Sequence, residues 1–299
     1  MASVYKSLSR PDGKKPNAPS NGVKKNKQRV LILSSRGVTY RHRHLLNDLA
    51  GMLPHSRKEA KFDSKSQIAA LNELSELYNC NNCMFFEARK GQDLYMHVSA
   101  VPNGSCVKML VQNIHTADEL NFTGNCLKGS RPILSFDAAF EKEPHLRVIR
   151  ELFHRVFGVP QGARKSKPFI DHVMSFSIVD GKIWVRNYQI NEEEVAKTEA
   201  AKAETSKDSD MSLVEIGPRF TLQPILIQEG SFGGPIIYQN KQFVSPNQIR
   251  SDLRKAKASR HHVRAEQIAN GLSKKQDLGL SSRGVRKERD ELDTQMLFA

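Results

Sequence analysis

The chain has 299 residues, enough for one large domain or two modest ones whose core needs neither disulfides nor metal. Its 46 Lys+Arg against 32 Asp+Glu leave a net charge of +14, which points to a polyanionic partner. No run approaches the roughly 18 apolar residues of a membrane helix, the start of the chain carries no apolar signal-peptide stretch, and four cysteines suit a reducing compartment. A soluble intracellular chain is expected, and a membrane protein or disulfide scaffold is not.

Residues 1–28 read as a disordered basic arm rich in Pro, Gly, Asn and Ser, with Lys24, Lys25 and Lys27 at its end. The first 29 residues carry net +7 and residues 250–299 net +5, so the body between them is nearly balanced at +2. Val30–Ser34 is a short apolar strand, and the helix expected after it, His44–Leu53, sets Leu45, Leu46, Leu49 and Leu53 on one face. A second helix, Ser66–Tyr78, precedes a hairpin from Cys83 to Val98 that turns near Lys90-Gly91, and a strand Val107–Ile114 follows.

The pattern then recurs. Ile133–Ser135 leads to a helix His145–Phe157, a hairpin His172–Tyr188 turning at Asp180-Gly181, and a closing strand Phe220–Ile227. At an offset of 101 residues Leu33 matches Leu134, Ser34 matches Ser135, His44 matches His145 and Leu45 matches Leu146. The predicted fold class is therefore α/β, built of two pseudo-symmetric βα-plus-hairpin halves that pack as one body, with a C-terminal helix. In the second hairpin, Met174, Phe176, Ile178, Ile183 and Val185 face the core. Val173, Trp184, Arg186 and Tyr188 share the other face; they could stack RNA bases, but burial against a helix or the other half is the expectation. Residues 191–210, with seven acids and three lysines, read as a flexible insertion between two strands.

No phosphate-binding P-loop, dinucleotide fingerprint, nucleophile elbow or zincin motif occurs, so no enzyme class is supported. Cys80-Asn-Asn-Cys83 has the spacing of a zinc half-site or redox dithiol. It lacks a second close pair, however, and enters a strand rather than a helix. Free packing thiols, no metal and no cofactor are expected, and Ser at both positions should leave stability nearly intact.

Three basic loops remain as working parts. Ser34–His44 carries Arg36, Arg41 and Arg43 into a helix start, where cations oppose the positive end of the helix dipole and a phosphate would suit both. Gly124–Pro132 carries Lys128 and Arg131 between glycines, and Gly162–Pro168 carries Arg164, Lys165 and Lys167. Arg57 and Lys58 are expected to follow the first helix, where their charge suits the dipole. Ser245, Pro246 and Gln248 open a last helix, 246–270, with Gly271 as its stop. Arg250, Arg254, Lys257, His261 and Arg264 share one face of it, beside a thin stripe of Ile249, Leu253, Ala256 and Val263.

The run Asn121–Phe136, with Ser34–Gly37, Arg41–His44, Leu53–Lys58, Gly217–Phe220 and Glu229–Pro235, resembles the Brix-domain family of ribosome assembly proteins over roughly 29–250. The resemblance implies a Brix-like domain at 29–245, in halves 29–120 and 121–245 similar to class II tRNA synthetase anticodon-binding domains. It also implies a non-catalytic factor of the nucleus and nucleolus that binds large-subunit pre-rRNA and pre-ribosomal particle proteins. A heterodimer partner resembling the EBNA-binding-protein homologue is implied as well. Arg219, in the Gly217–Phe220 motif, joins the RNA-binding set. The alternative is a protein-interaction scaffold with little direct RNA contact. Residues 271–299 form a tail to which no role is assigned beyond peptide docking through Met296, Leu297 and Phe298.

Overall fold

The computed structural model describes residues 28–63, 67–119, 122–160, 163, 165–193 and 210–278. The N-terminal arm, most of the acidic insertion, Arg164 and the end of the tail lie outside them. The chain divides into two units, residues 1–241 and 242–299.

The first unit is built on one sheet, ordered β2-β1-β3-β4-β5-β10-β8-β7-β6. Its strands are β1 (Val30–Ser35), β2 (Ser56–Phe62), β3 (Asn82–Arg89), β4 (Asp93–Ala100), β5 (Cys106–His115), β6 (Pro132–Phe136), β7 (His172–Val179), β8 (Lys182–Glu193) and β10 (Arg219–Gly230). β9 (Asp210–Glu215) adds to β8, and β11 (Gly233–Gln239) adds to β10. The repeat is visible in the order. β1, β3, β4 and β5 correspond to β6, β7, β8 and β10, and the two closing strands β5 and β10 pair antiparallel at the centre. β1 runs parallel to β3, with Leu33 opposite Phe85, as β6 runs parallel to β7, with Leu134 opposite Met174. Both hairpins turn where the sequence places them. Lys90-Gly91 and Asp180-Gly181 take the two left-handed φ values a tight two-residue turn requires.

Helices α1 (Tyr40–Met52) and α3 (Pro144–Phe157) cover one sheet face, and their apolar stripes close a single core. Leu45, Leu49, Ile149, Phe153 and Val156 meet Val30, Ile32, Phe86, Met96, Phe176 and Val185 there. Phe136 stacks on Phe176 at 4.8 Å, and Phe153 meets Phe157 edge-on. Buried polar contacts tie the halves, among them the His55 Nε2–H donating to the Val156 carbonyl of α3 at 2.9 Å and the Ser99 and Ser231 hydroxyls meeting at 2.7 Å. Helix α2 (Ala70–Leu77) covers the other face of the first half only, over Leu31, Leu33, Cys83 and Phe85. β1 is consequently apolar at consecutive positions, as a strand buried on both faces must be.

Four expectations are corrected. α1 begins at Tyr40, not His44, because Thr39 caps it by accepting from the His42 N–H, so Arg41 and Arg43 stand in its first turn. Arg57 and Lys58 do not end a helix; they belong to β2, which takes the open edge of β1 in parallel. The last helix, α4 (Pro246–Asp277), passes through Gly271 and ends six residues beyond that predicted stop. Gly271 stays helical, and Lys274 and Lys275 complement the dipole at the true end. Finally, among the described residues of the first unit no helix covers Trp184, Arg186 and Tyr188, which are half-buried on an open sheet face.

Candidate nucleic-acid interface

Strand directions place the three basic loops together. With β1 pointing up, the alternation across the sheet makes β5 and β8 point up and β7 and β6 point down. The loop leaving the top of β1 and the loops entering the tops of β6 and β7 thus share one end of the sheet. Seven strand spacings of roughly 4.8 Å separate β1 from β6, so the basic rim spans about 34 Å before twist.

At the β1 end, Arg41 donates to Glu119 at 2.7 Å, Arg36 pairs with Asp63, and His44 lies 3.4 Å from Asp118. Asp48 accepts from the Ala117 N–H at 3.0 Å, so the turn after β5 is clipped onto α1. Desolvation holds the Asp48 carboxyl above its ordinary range against that bond. Arg43 is exposed over the Tyr40 ring, and no described carboxylate pairs with it. Local carboxylates therefore account for two of the three cations at this helix start. All three remain solvent-facing, and such exposed pairs exchange at little cost.

At the β6 end, two loops the sequence presents separately form one clamp. Gly129 takes φ +89°, and a Cβ there would lie 2.8 Å from the Lys165 carbonyl. The Lys167 N–H donates to the Gly129 carbonyl at 2.7 Å, and the Arg131 N–H to Phe169 at 2.9 Å. Lys128, Arg131, Lys165 and Lys167 are thereby gathered into one basic cluster. The Leu127 N–H donates to Asp171 at 2.6 Å, and the Asn125 N–H to the Gln189 side chain at 2.7 Å. Burial would raise the Asp171 carboxyl, but hydrogen bonds from His172, Ser130 and Leu127 outweigh it and hold it low.

Ser130, His172 and Asp171 look like a hydrolase triad but cannot act as one. Both Ser130 and Asp171 meet the same ring nitrogen, Nδ1, at 3.1 and 2.7 Å, and Ser130 is fully buried and donates to the Leu127 carbonyl. A relay needs acid and nucleophile on opposite nitrogens. The trio anchors the loop.

Arg219 opens the down-pointing β10 and so stands at the rim end, but it is paired internally; the other predicted residues lie apart from the rim. Arg219 gives Nε and Nη2 to Glu215 at 2.8 Å and covers the Phe122 ring, so that edge of its guanidinium is committed. Arg57 packs over Tyr78 and bonds Glu59, and Lys58 bonds Asn47, both on the outer strand away from the rim. Cys80, Cys83 and Cys106 are buried thiols; burial pushes Cys83 up to about 12 and Cys106 to about 11. In the second unit, Arg254, Lys257 and Arg264 are exposed on α4, a helix about 48 Å long, and Ile249, Leu253, Val263, Ile268 and Leu272 are exposed on it too. Among the described residues no His/Cys/Asp/Glu group could hold a metal, and no helix is long and apolar enough to cross a membrane.

A two-part α/β body on one large sheet, with basic loops gathered at one end, is the architecture to which the family comparison attaches. The Brix domain model matches residues 35–226, and the chain belongs to that family. Among its relatives are the ribosome biogenesis protein BRX1 of Saccharomyces cerevisiae, 59% identical over 89% of this chain and 91% of that protein, and the BRX1 homolog of Homo sapiens, 47% identical over 84% and 67%. A probable ribosomal biogenesis protein from Aeropyrum pernix K1, a solved structure, aligns over 72% of this chain and 99% of its own at 15% identity and a TM-score of 0.43.

Proposed function

We propose that this chain is a non-catalytic ribosome biogenesis factor that binds large-subunit pre-rRNA through the basic rim of its sheet. The observation that carries the reading is the convergence of Arg43 from one half with Lys128, Lys165 and Lys167 from the other on the same sheet end. The names of the relatives supply the ribosomal context. In this reading the body at 29–245 acts as a Brix domain with halves akin to class II tRNA synthetase anticodon-binding domains. The acidic segment 191–210 and the two basic ends are accessory to it. The helix cations Arg250, Arg254, Lys257 and Arg264 extend the phosphate contacts, and the site of action is the nucleolus. A heterodimer with the EBNA-binding-protein homologue and contacts to other pre-ribosomal proteins belong to the same proposal.

A protein-interaction scaffold is the competing reading, favoured by the pairing of Arg36 and Arg41 with Asp63 and Glu119. Titrating full-length protein with a labelled large-subunit pre-rRNA transcript at several salt concentrations separates the two. Neutralising Arg43, Lys128, Lys165 and Lys167 with Gln should lower the salt slope by roughly 0.7 to 0.9 for each phosphate no longer neutralised. An unchanged slope sinks the RNA reading and leaves the scaffold.

A further inference from the structure

Among the described residues of its own unit, the open face of the second half has no occupant. Trp184, Arg186 and Tyr188 stand at alternate positions of β8, on the face opposite the core residues Ile183 and Val185, and are only half-buried. Alternate residues of a strand are about 7 Å apart, so three flat π-surfaces (indole, guanidinium and phenol) recur at roughly the pitch of an extended single strand of RNA. The Arg186 guanidinium already lies 5.5 Å from the Trp184 ring centre, and no described carboxylate pairs with it. Flanking strands leave the rings unwalled: Ser177 and Thr221 stand opposite Trp184, and Ser175 stands opposite Arg186. The one acid in register, Glu215 beside Tyr188, is consumed by Arg219. On the first half of this face, by contrast, Arg89 and Lys108 are both committed to Glu87.

The face also joins the rim. Tyr188, at its rim end, pairs in register with Val173, two residues beyond the Asp171 that accepts from the Leu127 N–H of the Lys128 loop. A strand whose phosphates sit on the Lys128–Lys167 cluster therefore meets the aromatic row first at Tyr188. From this we infer that the open face of the second half is a stacking platform for single-stranded RNA, entered from the rim and carried by Trp184, Arg186 and Tyr188. The inference rests on the proposed RNA-binding role and adds to it the strandedness of the ligand and a second surface.

Trp184 is the single tryptophan of the chain, which makes the test direct. Full-length protein is titrated with a ten-nucleotide oligo(U) and, separately, a 16-base-pair RNA duplex, reading both indole emission and anisotropy of labelled RNA. Oligo(U) should quench emission with the same midpoint that anisotropy reports. Trp184→Ala and Tyr188→Ala should each weaken oligo(U) by about fivefold or more while duplex affinity and salt slope hold; Trp184→Phe should retain most of the affinity. Melting curves confirm that each variant is folded, and Tyr188→Ala serves if Trp184→Ala is not. Oligo(U) binding with unchanged emission, and within twofold in folded variants, overturns the platform and leaves the rim standing. Emission that ignores oligo(U) but shifts on self-association overturns it in favour of a protein-covered face. Failure of the rim itself has a separate signature, a salt slope unmoved by the Gln variants.

Discussion

Gly129 is where the clamp between the two basic loops can be broken by one methyl group. Replacing it by Ala forces an L side chain to hold φ +89°, at about 1–2 kcal/mol. The new Cβ also meets the Lys165 carbonyl at 2.8 Å, and that contact is backbone, so the loops must part. Parting them gives up the Lys167-to-Gly129 hydrogen bond, worth about 1 kcal/mol. The total is about 2–4 kcal/mol, and at about 2–4 °C per kcal/mol for a body of this size the melting temperature should fall by about 5–15 °C. Gly181→Ala is the internal control. Gly181 has φ +67° but nothing within 4 Å of its Cβ, so it loses only the backbone share. If the clamp gathers the phosphate-binding cations, Gly129→Ala should also weaken pre-rRNA binding and flatten its salt dependence, whereas Gly181→Ala leaves both unchanged. Calorimetry and anisotropy on the two proteins settle it. Equal melting shifts, or a Gly129→Ala protein that binds like wild type, would refute the clamp.

Burial holds the His55 imidazole at about 4, well below its ordinary 6.5, so the fold favours the neutral ring and unfolded chains bind the extra proton. The stability it protects, about 3 kcal/mol, is complete above pH 6.5 and drains away as pH falls toward 4; His55→Leu should flatten that part of the denaturant midpoint against pH. Cys83→Ser should cost about 1–3 kcal/mol in urea unfolding, because Cys83 is fully buried and a hydroxyl there must be desolvated; this revises the silent substitution expected from sequence. Reversing Arg250, Arg254, Lys257 and Arg264 to Glu should impair recruitment to pre-ribosomes in sedimentation profiles while the melting of the body is unchanged. Normal recruitment would remove α4 from the RNA-binding set.

Much of this protein is written locally. The 101-residue repeat, the core faces of both helices and the Asp180-Gly181 turn depend on spacing and φ preference, and both survive in a linear string. The basic residues of the rim were legible for the same reason: charge on a nearly balanced body needs no coordinates to be noticed.

Partnership is what the string does not encode. Arg41 finds Glu119 across 78 positions, and Gly129 meets Lys165 only because β6 and β7 run side by side. The convergence of three loops on one end follows from strand direction, set when β5 and β10 pair at the centre. The fates of Trp184 and Arg57 were likewise tertiary decisions. An alternating strand shows that one face is separate from the core but not whether anything covers it, and a polar segment such as Ser56–Phe62 becomes a strand only when an open parallel edge is offered to it. Sequence determined which side chains this protein could use; the sheet decided which of them stand together and which are already spent on each other, because pairing between distant strands is a property of closure and not of local preference.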